Sequence, residues 1–194
     1  EYVKPILSDT KGFDAVDGVA FHDYSGEPTA MSEVHDLFPQ KTVGLTERSW
    51  WGVWGADRIC QYFRNWSINY NMWVTMLDSN IEPHQWVGTP DPTIFVQDAV
   101  PDSNGFYDNY WICPEYYLIG QFSKFVRPGA VRIDSNNVTQ ETISNVAFKN
   151  PDGTIAVVVI NQQKTGHKFK IQYQGRQIND IIPAKSVATY VWSL

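Results

Sequence analysis

From residue 1 to about residue 125 the chain alternates short, continuously apolar runs with segments of helical period, and after about Val126 that alternation stops. No other feature limits the fold as much. Gly18 to Phe21 and Thr42 to Leu45 read as buried strands, each ending in polar residues: His22, Asp23 and Tyr24 after the first, Thr46 and Glu47 after the second. Between them Met31, Val34, Leu37 and Phe38 mark one face of a helix, and Ile59, Tyr62, Phe63 and Trp66 repeat at i, i+3, i+4 and i+7. Asn71 to Leu77 reads as a third strand, residues 78–112 as a long loop, and Pro114 as the start of a helix carrying Leu118, Phe122 and Phe125.

Apolar strands separated by helices imply a parallel sheet covered on both faces. Its strand ends then share one edge, so the polar clusters at His22 to Tyr24, at Glu47 and at Asp78 are expected at a common rim. Beyond Val126 only β-rich runs remain, split by turn chemistry such as Asn150-Pro-Asp-Gly153, which is the pattern of an antiparallel β-sandwich. The expected fold class is therefore α/β plus all-β, divided into residues 1–125 and 126–194.

A net charge of -6 and a pI near 5.1 provide no basic footprint for nucleic acid or an anionic membrane. No apolar run approaches the ~20 residues of a transmembrane segment. The opening EYVKPILSDT lacks the pattern of a signal peptide, so an export signal is expected outside this chain. Cys60 and Cys113 have no metal-ligand spacing and read as free thiols. Two glycosylation sequons begin at Asn65 and Asn137. The aromatic fraction is 14%, with eight tryptophans, and side chains that join an apolar face to a polar edge suit sugars.

Glu47 stands out because glutamate is depleted in strands and rarely buried unpaired. Trp50, Trp51 and Trp54 follow it. An acid ringed by indoles suits glycoside hydrolysis, which uses two carboxyl groups flanking the scissile bond. A surface acid in a loop is the plainer alternative. Asp23, Asp78 and Glu82 are candidate second acids. His22 and Tyr24 share one strand face and Asp23 takes the other. Trp73 reads as a sugar platform or a core residue.

The segments DGVAFHDYSG, AMSEVHDLFPQKTVGLTE, LDSNIEPH and YYLIGQFSKFVRPGAVRID resemble glycoside hydrolase family 30, which includes glucosylceramidases, β-1,6-glucanases and β-xylanases. The resemblance extends through PDGTIAVVVIN and SVATYVWSL to the end of the chain. It implies the C-terminal part of a (β/α)8 TIM barrel followed by an antiparallel β-sandwich domain, with retaining chemistry at the C-terminal rim of the barrel. By this resemblance Glu47 in LTERS matches the catalytic nucleophile. His22 and Tyr24 in FHDY match substrate-contacting residues that steady it, and Trp73 matches an aromatic platform. Trp50 and Trp51 are further substrate-binding candidates. The family's acid/base, a Glu after Asn, has no match here. Where glycines are usual in the family, Ile81 and Glu82 stand.

The implied activity is a retaining β-glycoside hydrolase acting on a β-glucoside, a glucosylceramide-like substrate or a β-glucan. The alternatives are a non-catalytic carbohydrate-binding module and an isolated structural fragment. No metal or organic cofactor is expected. The expected partners are a carbohydrate and an N-terminal part of the same enzyme carrying the acid/base Glu, as a separate chain or a missing segment. The expected location is secreted or extracytoplasmic.

Overall fold

A computed structural model describes residues 2–85, 92, 94–136 and 143–193. Two short helices, α1 (Val3–Ser8) and α2 (Thr10–Ala15), precede the first strand. The sequence reading did not include them. The carboxylate of Asp9 starts α2 by accepting from the Gly12 backbone N–H at 2.8 Å.

Strands β1 (Gly18–His22), β2 (Thr42–Glu47) and β3 (Ser67–Tyr70) form a parallel sheet in the order β1-β2-β3. Helix α3 (Thr29–Leu37) joins the first two, and α4 (Gly52–Arg64) joins the second two. The register between β1 and β2 runs regularly from Gly18↔Thr42 to Phe21↔Leu45, then shifts so that His22 pairs with Glu47. This irregularity at the strand ends sets the two polar residues side by side.

The third strand corrects the expectation of Asn71 to Leu77. α4 ends at Asn65, whose side chain caps it by donating to the Gln61 carbonyl at 2.8 Å, and the chain becomes extended at Ser67. Only Ile68 and Tyr70 are apolar there, too few to show a strand by pattern. The ladder tolerates this because the Ser67 hydroxyl accepts from the Leu45 N–H at 3.0 Å, within a register break between Val43↔Ser67 and Leu45↔Tyr70. Trp73 therefore lies between strands. The end of the expected Asn71 to Leu77 run is extended, as β4 (Met76–Asp78), and it pairs with two strands inside the expected loop 78–112, β5 (Phe95–Gln97) and β6 (Tyr110–Ile112), in a small mixed sheet. Helix α5 (Pro114–Ser123) follows, with Leu118 and Phe122 buried as expected, whereas Phe125, expected on the same face, lies beyond its end.

The remaining strands are β7 (Val131–Ile133), β8 (Ile143–Lys149), β9 (Ile155–Asn161), β10 (His167–Tyr173), β11 (Arg176–Ile182) and β12 (Ser186–Trp192). Four of them pair antiparallel in the order β12-β9-β8-β7. β10 and β11 form a hairpin packed on one face of that sheet. β11 escaped the sequence reading because its apolar positions are diluted by Gln177, Asn179 and Asp180. Gln174 and Gly175 both have positive φ, 46° and 78°, which gives the hairpin a turn matched to strand twist.

Every residue of β9 is buried, because both faces of its sheet are covered. Val157, Val159, Ala147 and Ile143 meet Phe169, Ile171 and Ile182 across the sandwich. On the opposite face Val146, Phe148, Val158 and Ile160 join Ile59, Cys60, Tyr62, Val43 and Leu45 in a single core that also holds Leu118 and Phe122. α4 thus packs against the parallel sheet on one side and against β8 and β9 on another. Both cysteines are free: burial pushes the Cys60 thiol up and keeps it inert, and Cys113 is partly exposed. Among the described residues no helix is long and apolar enough to cross a membrane, and no His, Cys, Asp and Glu cluster fits a metal ion. The sequon at Asn137 lies outside the described residues. At the other, Asn65 spends its amide on Gln61 and its carbonyl on the Ser32 hydroxyl.

Candidate active site

Glu47 closes β2, and the parallel sheet puts its carboxylate beside the residues that end β1. The Tyr24 hydroxyl donates to Glu47 Oε1 at 2.6 Å, and His22 Nδ1 lies 3.6 Å from the same oxygen. The two rings stand edge to face, with centroids 6.2 Å apart. Burial and the hydrogen bond to a carboxylate push the Tyr24 phenol up to about 12, so it stays a donor through the neutral range. Glu47 is three-quarters buried, its side chain keeping 25% of its accessible surface. It remains reachable by a ligand.

Asp23 points the other way, as strand alternation requires. Arg58 grips it with two hydrogen bonds, Nε to Oδ2 at 2.5 Å and an η-nitrogen to Oδ1 at 2.9 Å, and the Tyr62 hydroxyl donates to Oδ2 as well. Arg58 also donates to Glu27 at 2.7 Å and to the Gly26 carbonyl at 2.7 Å. Burial alone would raise the Asp23 carboxyl, but Arg58 and Tyr62 outweigh it and hold it below the usual range. Arg58 and Tyr62 are one helical turn apart on α4, so they reach the same carboxylate. The Trp50 indole N–H completes the chain by donating to the Tyr62 hydroxyl at 2.5 Å.

Trp50 is 7% exposed, with the Arg48 guanidinium 4.2 Å from its ring centroid and Trp54 edge-on at 4.6 Å. It shapes the site from beneath, where the sequence reading had it offering a face to sugar. Its neighbour Gly55 must be glycine: an added Cβ would lie 2.7 Å from the Trp50 Cβ and 2.9 Å from its backbone carbon. Trp51, Trp54 and Trp73 keep 42%, 55% and 41% of their surface. Glu47, His22 and Tyr24 are brought together by contact. Trp51 stands at the start of α4, and Trp73 follows β3.

The other candidate acids are engaged locally. Asp78 accepts from the Asn80 and Glu82 N–H groups at 2.9 and 2.8 Å, and Glu82 accepts from the His84 N–H at 2.9 Å. Arg48, Arg58 and Tyr62 are the residues that the sequence reading missed. The four-residue spacing of Arg58 and Tyr62 was a usable signal; their shared partner Asp23, 35 positions before Arg58, was not.

Residues 129–190 match the sequence model of the glycosyl hydrolase family 30 beta sandwich domain. The chain is 30% identical over 182 residues to putative glucosylceramidase 1 of Caenorhabditis elegans, covering 84% of this chain and 33% of that protein. It is 30% identical over 188 residues to endo-1,6-beta-D-glucanase neg1 of Aspergillus fumigatus, covering 91% of this chain and 37% of that one. The chain therefore spans about a third of the length of these curated relatives. Among solved structures it superposes on the endo-beta1,6-glucanase BT3312 with a TM-score of 0.84 at 28% identity, covering 100% of this chain and 45% of that chain. It superposes on a GH30 endoxylanase from Clostridium papyrosolvens with a TM-score of 0.71 at 19% identity, covering 98% of this chain and 52% of that chain, which speaks to the fold alone. Sequence and fold agree, and the chain belongs to glycoside hydrolase family 30 as its C-terminal portion.

Proposed function

We propose that this chain supplies the nucleophile half of a retaining β-glycoside hydrolase. The reading rests on Glu47 at the C-terminal end of a parallel strand, with Tyr24 and His22 converging on one of its oxygens. In this reading residues 1–125 are the last part of a (β/α)8 barrel and residues 126–194 its β-sandwich companion. The acid/base carboxyl comes from a segment preceding these residues, on the same polypeptide or a separate one.

Tyr24 and His22 both approach Oε1, and among the described residues no hydrogen bond reaches Oε2. Oε2 is the attacking atom. It forms a bond to the anomeric carbon as the bond to the glycosidic oxygen breaks, and the acid/base carboxyl protonates the departing oxygen. Water then attacks the same carbon, gives its proton to the carboxylate left behind, and releases Glu47 ionised. Tyr24 holds Glu47 in one rotamer throughout, which spares the reaction the cost of ordering it. The substrate class is a β-glucoside, a glucosylceramide-like lipid or a β-glucan, and the enzyme acts outside the cytoplasm.

A slow 2-deoxy-2-fluoroglycoside with a good leaving group tests the assignment on the complete enzyme. The label is expected on the peptide containing Glu47, and Glu47→Gln is expected to abolish labelling and turnover while sparing sugar binding. Full turnover by Glu47→Gln would overturn the assignment. A second reading, a carbohydrate-binding module, is favoured by the exposed faces of Trp51, Trp54 and Trp73. It requires sugar binding that survives Glu47→Gln and no labelling of the wild-type protein.

A further inference from the structure

The geometry points to Arg48 as a specificity-determining residue that donates to a ring-hydroxyl oxygen of a neutral sugar seated against Glu47. This rests on the reading of Glu47 as nucleophile. It concerns a residue to which the family resemblance assigns no role.

The observation is a cation that is held but not used. Two other part-buried arginines find acceptors within the protein: Arg58 makes four hydrogen bonds, to Asp23, Glu27 and Gly26, and Arg64 makes three, to the Ser135 hydroxyl and carbonyl and the Asn145 carbonyl, at 2.9 to 3.0 Å for Arg64. The Arg48 guanidinium has no hydrogen bond or ion pair among the described residues, and its Nε is buried without a partner. The two η-nitrogens are not buried in this way, and with no acceptor among the described residues their N–H groups are the ones a ligand can take.

The side chain is also fixed in advance. Its backbone is pinned on both sides, the N–H donating to the Asn71 carbonyl at 3.3 Å and the carbonyl accepting from the Tyr70 hydroxyl at 2.7 Å. The guanidinium carbon lies 4.2 Å from the Trp50 ring centroid and 5.1 Å from that of Tyr24, the tyrosine whose hydroxyl holds Glu47. Two aromatic faces thus aim the fork while its edge stays free to donate. One ring links the two groups: the Tyr24 hydroxyl holds the Glu47 carboxylate and the Tyr24 face meets the Arg48 guanidinium.

Charge selects the ligand class. Arg48 directly follows Glu47, and Asp23, the nearby carboxylate, is already neutralised by Arg58. Glu47 and Arg48 therefore leave the pocket close to neutral, which suits an uncharged sugar. A uronic acid would set its carboxylate against Glu47. A neutral oxygen takes a charge-assisted hydrogen bond from Arg48 without that repulsion.

The test uses the complete enzyme with aryl β-glucosides, intact or lacking a single hydroxyl at C3, C4 or C6, and an aryl β-glucuronide. Arg48→Ala is expected to lower kcat/KM on the intact glucoside by about tenfold to a hundredfold, the loss typical of a charge-assisted hydrogen bond. On the one deoxy substrate that lacks the recognised oxygen the same variant is expected to lose less than threefold. Arg48→Met, which keeps the stem against Trp50, serves in place of Arg48→Ala if the latter does not fold. An equal loss on all substrates, or no loss, overturns the proposal. So does a glucuronide preferred by the wild type and lost in the variant, which would make Arg48 a carboxylate receptor. Fluoroglycoside labelling of Glu47 in each variant separates the two readings: failure to label the wild type sinks the nucleophile, and labelling with unchanged discrimination sinks Arg48 alone.

Discussion

The Tyr24 hydroxyl lies 2.6 Å from Glu47 Oε1, a full ångström closer than His22 Nδ1 at 3.6 Å from the same atom. Of the two neighbours, the phenol makes the hydrogen bond and the imidazole stands at ion-pair distance.

Tyr24→Phe is therefore expected to cost more than His22→Ala in the chemical step. If Glu47 acts as proposed, kcat of the complete enzyme should fall about tenfold to a hundredfold for the phenylalanine variant, with KM little changed, because the bond orients the Glu47 carboxylate and does not hold the sugar. Steady-state kinetics on an aryl β-glucoside checks this; a loss confined to KM would contradict it.

The same phenol makes an alkaline prediction. Its pKa is raised in the folded state, so its contribution to stability is complete below its ordinary value of 10 and is lost as pH climbs from there through about 12. Tyrosinate absorbance followed through this window should show one fewer high-pH titration in Tyr24→Phe than in the wild type. Tyr190, raised to about 12 by burial and its bond to Asp180, titrates in the same range and is removed by Tyr190→Phe as a control.

Breaking the Asp23–Arg58 pair should be severe. Both side chains are largely buried, keeping 9% and 14% of their surface, and Arg58→Ala leaves a carboxylate in the interior without its cation. Loss of about 3 kcal/mol of stability is expected, read by urea unfolding at pH 7. Because the Asp23 carboxyl is depressed, its stabilisation is present above its ordinary value of 3.8 and disappears as pH falls below it. Wild type and variant should therefore converge in strong acid.

Gly55→Ala should destabilise the protein although alanine is the better helix former by roughly 1 kcal/mol. The new methyl would overlap backbone and Cβ atoms of Trp50, and α4 must move away from the indole to admit it. A net loss of about 1–3 kcal/mol in chemical denaturation, with a change in tryptophan emission, is the expected result. A gain in stability would show that the contact yields easily.

Much of the site was legible because it depends on local order. Continuous apolar runs marked β1 and β2, and strand alternation separated His22 and Tyr24 from Asp23. What long-range packing decides could not be read. β3 and β11 carry too few apolar residues to stand out, and the Ser67 hydroxyl that repairs the β2–β3 ladder has no signature. Trp50, Trp51 and Trp54 look equivalent in sequence. The start of α4 at Gly52 separates them, burying the first and turning the others outward. The Asp23, Arg58 and Tyr62 network joins residues 35 and 39 positions apart, and nothing in the spacing announces it.

α4 is the element on which the two halves lean together, with Val43 and Leu45 of the parallel sheet and Val158 and Ile160 of the sandwich in one core. From this helix Tyr62, itself part of that core, and Arg58 reach Asp23 and brace the loop holding Tyr24. A defect deep in the sandwich has a direct mechanical route to Glu47 through this helix. Substitutions at Val158 or Phe148, far along the core from Glu47, would register at Tyr24 and Glu47, and grafting a foreign sandwich onto the parallel sheet would fail unless α4 were redesigned with it.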